Sequence, residues 1–195
     1  MKEREHVLIH IRLKIGDYRF LHHSAQPAVR LIFIDWLTTR HVRARARPAH
    51  RLFPGQDVPG LGILRQITAA ITRIAVAAGA EGAFNIPEYF HDAVLFHRQF
   101  RFYDPVQEAT LHAVIRDLHR FGARSISQAY VDGRVANAEG KCVAWHPSEM
   151  ILLANPRLRG EIFSRAYLEL ARRTASGLSF RLTPATCEGT PGDVR

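Results

Sequence analysis

Apolar and polar residues alternate near the start of the chain, with Val7, Ile9, Ile11, Leu13 and Ile15 set between Leu8, His10, Arg12 and Lys14. A two-residue period predicts a half-buried strand. Gly16 and Asp17 then read as a turn, with residues 18–21 continuing the sheet. Residues 28–37 are apolar almost throughout, apart from Arg30 and Asp35, which predicts a strand covered on both faces. A basic connection ends at Pro48. Residues 50–53 then read as a short strand running into a turn that contains Pro54, Gly55, Pro59, Gly60 and Gly62.

From residue 63 the period becomes helical. Ile67, Ala70, Ile71, Ile74, Ala75 and Ala78 recur at three- and four-residue spacing, and Gly79 supplies the stop. Residues 83–86 suit a short strand. Pro87 and Glu88 suit the first turn of a second helix, whose stripe is Phe90, Ala93, Val94 and His97. A third helix is signalled by Asp104 and Pro105, with Gln107 at the capping-box position, and stops near Gly122. Beyond it, Asp132-Gly133 and Glu139-Gly140 mark turns of a hairpin-like region. Residues 149–154 and 178–182 suit strands, and Asn155 with Pro156 opens helical segments reaching about residue 175. The sequence thus divides into a core over 1–122, a hairpin and helical extension over 123–182 packed on that core, and a flexible tail over 183–195.

Composition narrows the class. With 47% hydrophobic and 23% charged residues among 195, the chain has the make-up of a globular protein rather than a disordered one. Its net charge of +9 favours an anionic partner, such as a phosphate-bearing cofactor or nucleic acid. Two cysteines, Cys142 and Cys187, argue against a disulfide framework and for a reducing compartment. The N-terminal segment is neither a secretory leader nor a membrane span, so a cytoplasmic protein with no membrane partner is expected.

A glycine-rich turn between strand and helix lets the backbone approach a pyrophosphate, with the free amides of the helix N-terminus facing its oxygens. Gly60 and Gly62 stand at such a junction, with Leu61, Ile63, Leu64 and Arg65 able to offer amides; Pro59 has none. Strand, Gly turn, long helix, strand and second helix follow one another over residues 50–103. This order and these lengths resemble the central half of the GNAT superfamily of acyl-CoA-dependent N-acyltransferases. Gly60, Leu61, Gly62 and Ile63 stand for its "R-G-x-G-I-G" turn. Ala93, Phe96 and Phe102 stand for its "N-x-x-A-x-x-L-Y-x-x-x-G-F" helix. Pro59 or Asp57, depending on alignment, replaces the family's basic anchor, and the family's first strand and two helices have no counterpart.

The resemblance implies an α/β fold with a mixed, mostly antiparallel sheet flanked by helices, acetyl-CoA or another acyl-CoA as cosubstrate, and a small-molecule or peptide amine as acceptor. Gly60, Leu61, Gly62, Ile63, Leu64 and Arg65 would cradle the pyrophosphate. The backbone of Leu52 and Phe53 would pair with pantetheine, and Asn85 would bond its amide. His97 takes the position of the family's acid, commonly a tyrosine, and suits proton donation near neutral pH. His50 lies near the usual base. With the first strand and helices lacking, the acceptor wall falls to the C-terminal extension or to a second subunit, hence a possible homodimer.

Other signals compete. In an extended segment Arg43, Arg45 and Arg47 share one face, suited to nucleic-acid phosphates in a non-catalytic basic module or to the 3′-phosphate of CoA. His91 and His97 diverge around a helix, and His22, His23, Cys142 and His146 lack companions at ligand spacing, so no metal is expected. No Ser-His-Asp signature or nucleophile elbow is present.

Overall fold

The computed structural model describes residues 7–19, 28–41 and 51–184. In chain order the elements are β1 (Ile9–Tyr18), β2 (Val29–Thr39), α1 (Leu64–Ala77), β3 (Gly82–Asn85), α2 (Phe90–Phe96), β4 (Arg101–Phe102), α3 (Pro105–Leu118), a 3-10 turn (His119–Phe121), α4 (Gly122–Val131), β5 (Val135–Asn137), β6 (Met150–Leu153), α5 (Pro156–Ile162), α6 (Arg165–Gly177) and β7 (Phe180–Leu182). Five strands make one sheet in the order β1-β2-β3-β6-β4, and β5 pairs with β7 in a second. Within the larger sheet only β2 and β3 run parallel. The fold is therefore mixed α/β, with a mostly antiparallel sheet flanked by helices.

Parallel neighbours need a crossover, and α1 provides it. Its buried residues Ile67, Thr68, Ile71 and Ala75 form one stripe. They meet Ile32, Ile34 and Ala83 on one face of the sheet, joined there by Phe90 and Ala93 of α2 and by Leu111 and Val114 of α3. On the opposite face Leu31, Phe84, Ile151 and Leu153 pack with Ile162. Burial on both faces explains why residues 28–37 are apolar almost without alternation. Local chemistry fixes the helix starts. Asp104 Oδ1 accepts from the Val106 amide at 2.8 Å, with Pro105 in the first helical turn. Asn155 caps α5 and Ser164 caps α6 in the same way.

Several sequence expectations are corrected. Gly16 and Asp17 make no turn: they continue β1, opposite Leu31 and Arg30, because the ladder extends over both residues. Residues 51–53 form a turn rather than a strand, so the strand leading to the Gly turn is β2. The third helix does stop near Gly122, which caps the 3-10 turn after α3 at φ +75°, but the chain then enters α4 instead of a hairpin, with Ile126, Ala129 and Tyr130 carrying the helical spacing. The extension beyond residue 122 does not merely pack on the core, since its β6 lies inside the main sheet between β3 and β4. Cys142 is disulfide-bonded, contrary to the expectation from two cysteines. Residues 185–195 of the expected tail lie outside the described residues. Among the described residues no helix is long and apolar enough to cross a membrane.

Candidate functional site

The two parallel strands part company early. Leu31, Ile32 and Phe33 pair with Gly82, Ala83 and Phe84, after which β3 ends at Asn85 while β2 continues to Thr39. Five residues past the level of Ile34 extend β2 by about 16 Å. On its β3 side this stretch has no strand partner among the described residues. A bulge lies where the strands separate. Arg12 faces Trp36 and Leu13 faces Ile34, so Asp35 is the extra residue on β2. Bulges bend a strand and increase its twist, and this one lies where pairing with β3 ends. Arg12 and Lys14 pair with the Asp35 carboxylate and hold it below the usual carboxylate range, more than offsetting desolvation, which acts the other way.

The glycine turn folds onto the tip of β2. Thr39 Oγ1 accepts from the Leu61 amide at 3.2 Å, Pro59 O accepts from the His41 amide at 2.9 Å, and Arg40 pairs with Asp57 at 2.9 Å. A Cβ on Gly60 would stand 3.0 Å from Thr39 Oγ1, and Gly62 has φ +72°. Glycine at both positions thus serves close approach and a left-handed backbone. Helix α1 begins behind the turn with Ile63 as its cap residue, no side-chain cap and no acidic group in its first turn. The amides of Leu64, Arg65 and Gln66 therefore have no intrahelical acceptor and no capping side chain, at the positive end of the helix dipole. Leu61, by contrast, has its amide committed to Thr39.

Asn85 ends β3 at this divergent end. Its residue is 5% exposed, and alternation puts its side chain on the α1 and α2 face with Ala83. Asn85 Oδ1 is buried without a hydrogen-bond partner, the one such side-chain atom among the described residues. Leaving a buried acceptor unpaired costs about 1–3 kcal/mol, so the atom marks a place where a donor is missing.

One residue that sequence reasoning passed over joins these parts. His91 is buried, its Nδ1 lies 2.8 Å from Ser127 Oγ and its Nε2 3.4 Å from Asp92 Oδ1. Phe53 stacks on its ring at 4.4 Å, and Tyr89 lies beside it at 5.5 Å. The set looks like a Ser-His-Asp group, but Ser127 is 1% exposed and out of reach of a substrate. It works as a clasp joining α2, α4 and the loop before α1. Burial pushes His91 down to about 4, so it stays neutral. Burial raises Asp92 to about 6, although the Tyr89 amide bonds it.

His97 sits elsewhere. β6 pairs antiparallel with both β3 and β4, with Ile151 opposite Phe84 and Arg101, and Met150 opposite Asn85 and Phe102. The chain before Arg101 therefore lies at the Gly82 end of the sheet, away from Asn85. There His97 Nε2 lies 3.1 Å from Glu108 Oε1, His112 Nε2 3.2 Å from the same oxygen, and Arg101 Nη1 3.1 Å from it. Glu108 Oε2 accepts from the Phe102 amide at 3.0 Å. Burial alone would raise the Glu108 pKa. Hydrogen bonds from His112 and His97, the charge of His97 and the Phe102 amide outweigh it and hold the group at about 2.

The structure thus gathers the Gly turn, the start of α1 and Asn85 at one end of the sheet, and sets His97 apart. Leu52 and Phe53 lie in a turn, with Phe53 against His91. His50, Arg43, Arg45 and Arg47 lie outside the described residues. Surface depressions occur on α6, beside Arg165 and Arg172, and around His97 and Arg159; neither includes Asn85. The Glu108 group was legible only in part: Glu108 and His112 have helical i,i+4 spacing, but His97 comes from another element. No protein-family model, curated protein or solved structure matches this chain.

Proposed function

We propose that this chain is a GNAT-like protein that binds an acyl-CoA across the divergent end of β2 and β3 and transfers the acyl group to a small-molecule or peptide amine. The observation that carries the reading is the unpartnered Asn85 Oδ1 at that end. A pantetheine amide N–H donating to it would supply the missing bond. The backbone of residues 34–39 would pair with the arm in place of Leu52 and Phe53, because β2 is the strand that runs on past the end of β3. The uncapped first turn of α1, at Leu64, Arg65 and Gln66, suits the pyrophosphate.

In the transfer the amine nitrogen attacks the thioester carbonyl, the C–N bond forms and the C–S bond breaks. The amine loses a proton and the CoA thiolate takes one up. The family resemblance gives these roles to His50 as base and His97 as acid. A second reading, binding without turnover, is favoured by His97 Nε2 being held against Glu108 rather than set beside Asn85.

Calorimetry with acetyl-CoA and longer acyl-CoAs tests the reading. Saturable heat is expected, and its absence with every acyl-CoA would refute cofactor binding. His97→Phe separates the two readings. Lost turnover with retained binding supports transfer through His97, and unaltered turnover removes His97 from the mechanism.

A further inference from the structure

We infer that His97, Glu108 and His112 form a binding site for a divalent transition ion of the zinc class. The three residues offer His97 Nε2, Glu108 Oε1 and His112 Nε2, all within 4.8 Å of one another. Zinc takes imidazole nitrogen and carboxylate oxygen at about 2.0–2.2 Å. Two such ligands at a tetrahedral angle stand about 3.4 Å apart, close to the 3.1 and 3.2 Å between Oε1 and the two nitrogens. The two imidazole nitrogens, up to 4.8 Å apart, would close toward that spacing as the rings turn onto an ion.

The hydrogen bonding points the same way. Without an ion, Glu108 Oε1 receives three donors at once, from His97, His112 and Arg101, although a carboxylate oxygen has lone pairs for about two. Both imidazoles must then carry their proton on Nε2. An ion relieves the crowding: each neutral ring carries its proton on Nδ1 instead of Nε2 and turns the Nε2 lone pair to the metal, while the 40% exposed Arg101 side chain is free to swing into solvent.

The surroundings suit a ligand set. Glu108 is 1% exposed, and the Phe102 amide fixes its second oxygen, as an outer partner fixes a metal-binding carboxylate. Glu108 and His112 stand one turn apart on α3, and His97 closes α2 at its C-terminus. The His97 and His112 rings meet edge to face at 4.9 Å. The His112 side chain is half exposed and that of His97 23% exposed, so the site opens to solvent and leaves coordination positions for water. Nitrogen and oxygen donors without sulfur favour zinc, cobalt, nickel or copper over calcium or magnesium. The ion would tie the end of α2 to α3.

The test uses the full chain, stripped with a chelator and titrated with cobalt(II) and then zinc(II), without any CoA. One cobalt ion per chain should give the visible absorption of a four- or five-coordinate site, and zinc should bleach it. His112→Ala, a half-exposed change that the fold should tolerate, is expected to weaken zinc binding about 100-fold or more, and His97→Ala likewise. Arg101→Gln removes the competing cation and is expected to tighten binding several-fold. Absence of the cobalt spectrum in the wild type, or wild-type zinc affinity in both histidine variants, would overturn the site. Neither result bears on acyl-CoA binding at the other end of the sheet.

Discussion

At the residue scale, Asn85 and His91 show opposite ways of burying a polar group. Asn85 keeps an acceptor with no donor, whereas His91 is bonded to Ser127 and stacked by Phe53. Asn85→Leu, which keeps the branching and heavy-atom count, should stabilise the ligand-free fold by about 1 kcal/mol in urea unfolding and abolish any thermal shift with acyl-CoA. A destabilised but ligand-responsive variant would show that the side chain is structural only. The clasp gives a pH prediction. Folded His91 titrates near 4 against 6.5 when free. Its contribution is complete above about 6.5 and is lost as pH falls toward 4, at most about 3 kcal/mol. Asp92 runs the other way: its raised pKa of about 6, against 3.8, lets the folded chain gain stability over much the same interval. Asp92→Asn removes this offset, so the variant should lose stability faster than wild type between pH 6 and 4. Parallel urea midpoints over that range would contradict the assignment. The resemblance already assigns Asn85 to the pantetheine amide, but neither its lack of a donor nor the His91 clasp was legible in the sequence. Asn85 is orphaned by its surroundings, and His91 meets a serine on another helix.

At the scale of elements, capping and backbone conformation decide where helices begin. Asp104→Ala removes the side-chain acceptor of the Val106 amide and should cost about 1 kcal/mol in urea unfolding. Gly62→Ala meets no neighbour, so any loss reports the positive φ alone and should be about 1 kcal/mol. A neutral result at either position would show that its local signal is redundant. These features could be read directly: Asp104 before Pro105, and glycines at a strand-to-helix junction. Other elements could not. β4 has two residues, too few to show a period, and pairing with β6 makes it a strand. In α4 the pattern of Ile126, Ala129 and Tyr130 was present, but Gly122, a true stop for the preceding turn, hides the helix that starts directly behind it. Residues 51–53 read as the end of a short strand yet fold over α2, where Phe53 stacks on His91.

At the scale of the molecule, β2, α1 and β3 were each legible, β2 as an unbroken apolar run and α1 by its helical period, but the strand before Gly60 and Gly62 was expected at 50–53 and not at β2. The place of β6 was not legible, since a four-residue strand carries no record of the neighbours it will join. Its insertion between β3 and β4 sets Asn85 opposite Met150. On the proposed reading acyl-CoA occupies the divergent end of β2 and β3. Amide hydrogen exchange on the full chain, with and without saturating acetyl-CoA, is the sharpest test. Slowed exchange is expected, confined to residues 34–39, to the start of α1 at 64–66 and to the segment around Asn85. Unchanged exchange at all three, or protection centred on another surface, would contradict it.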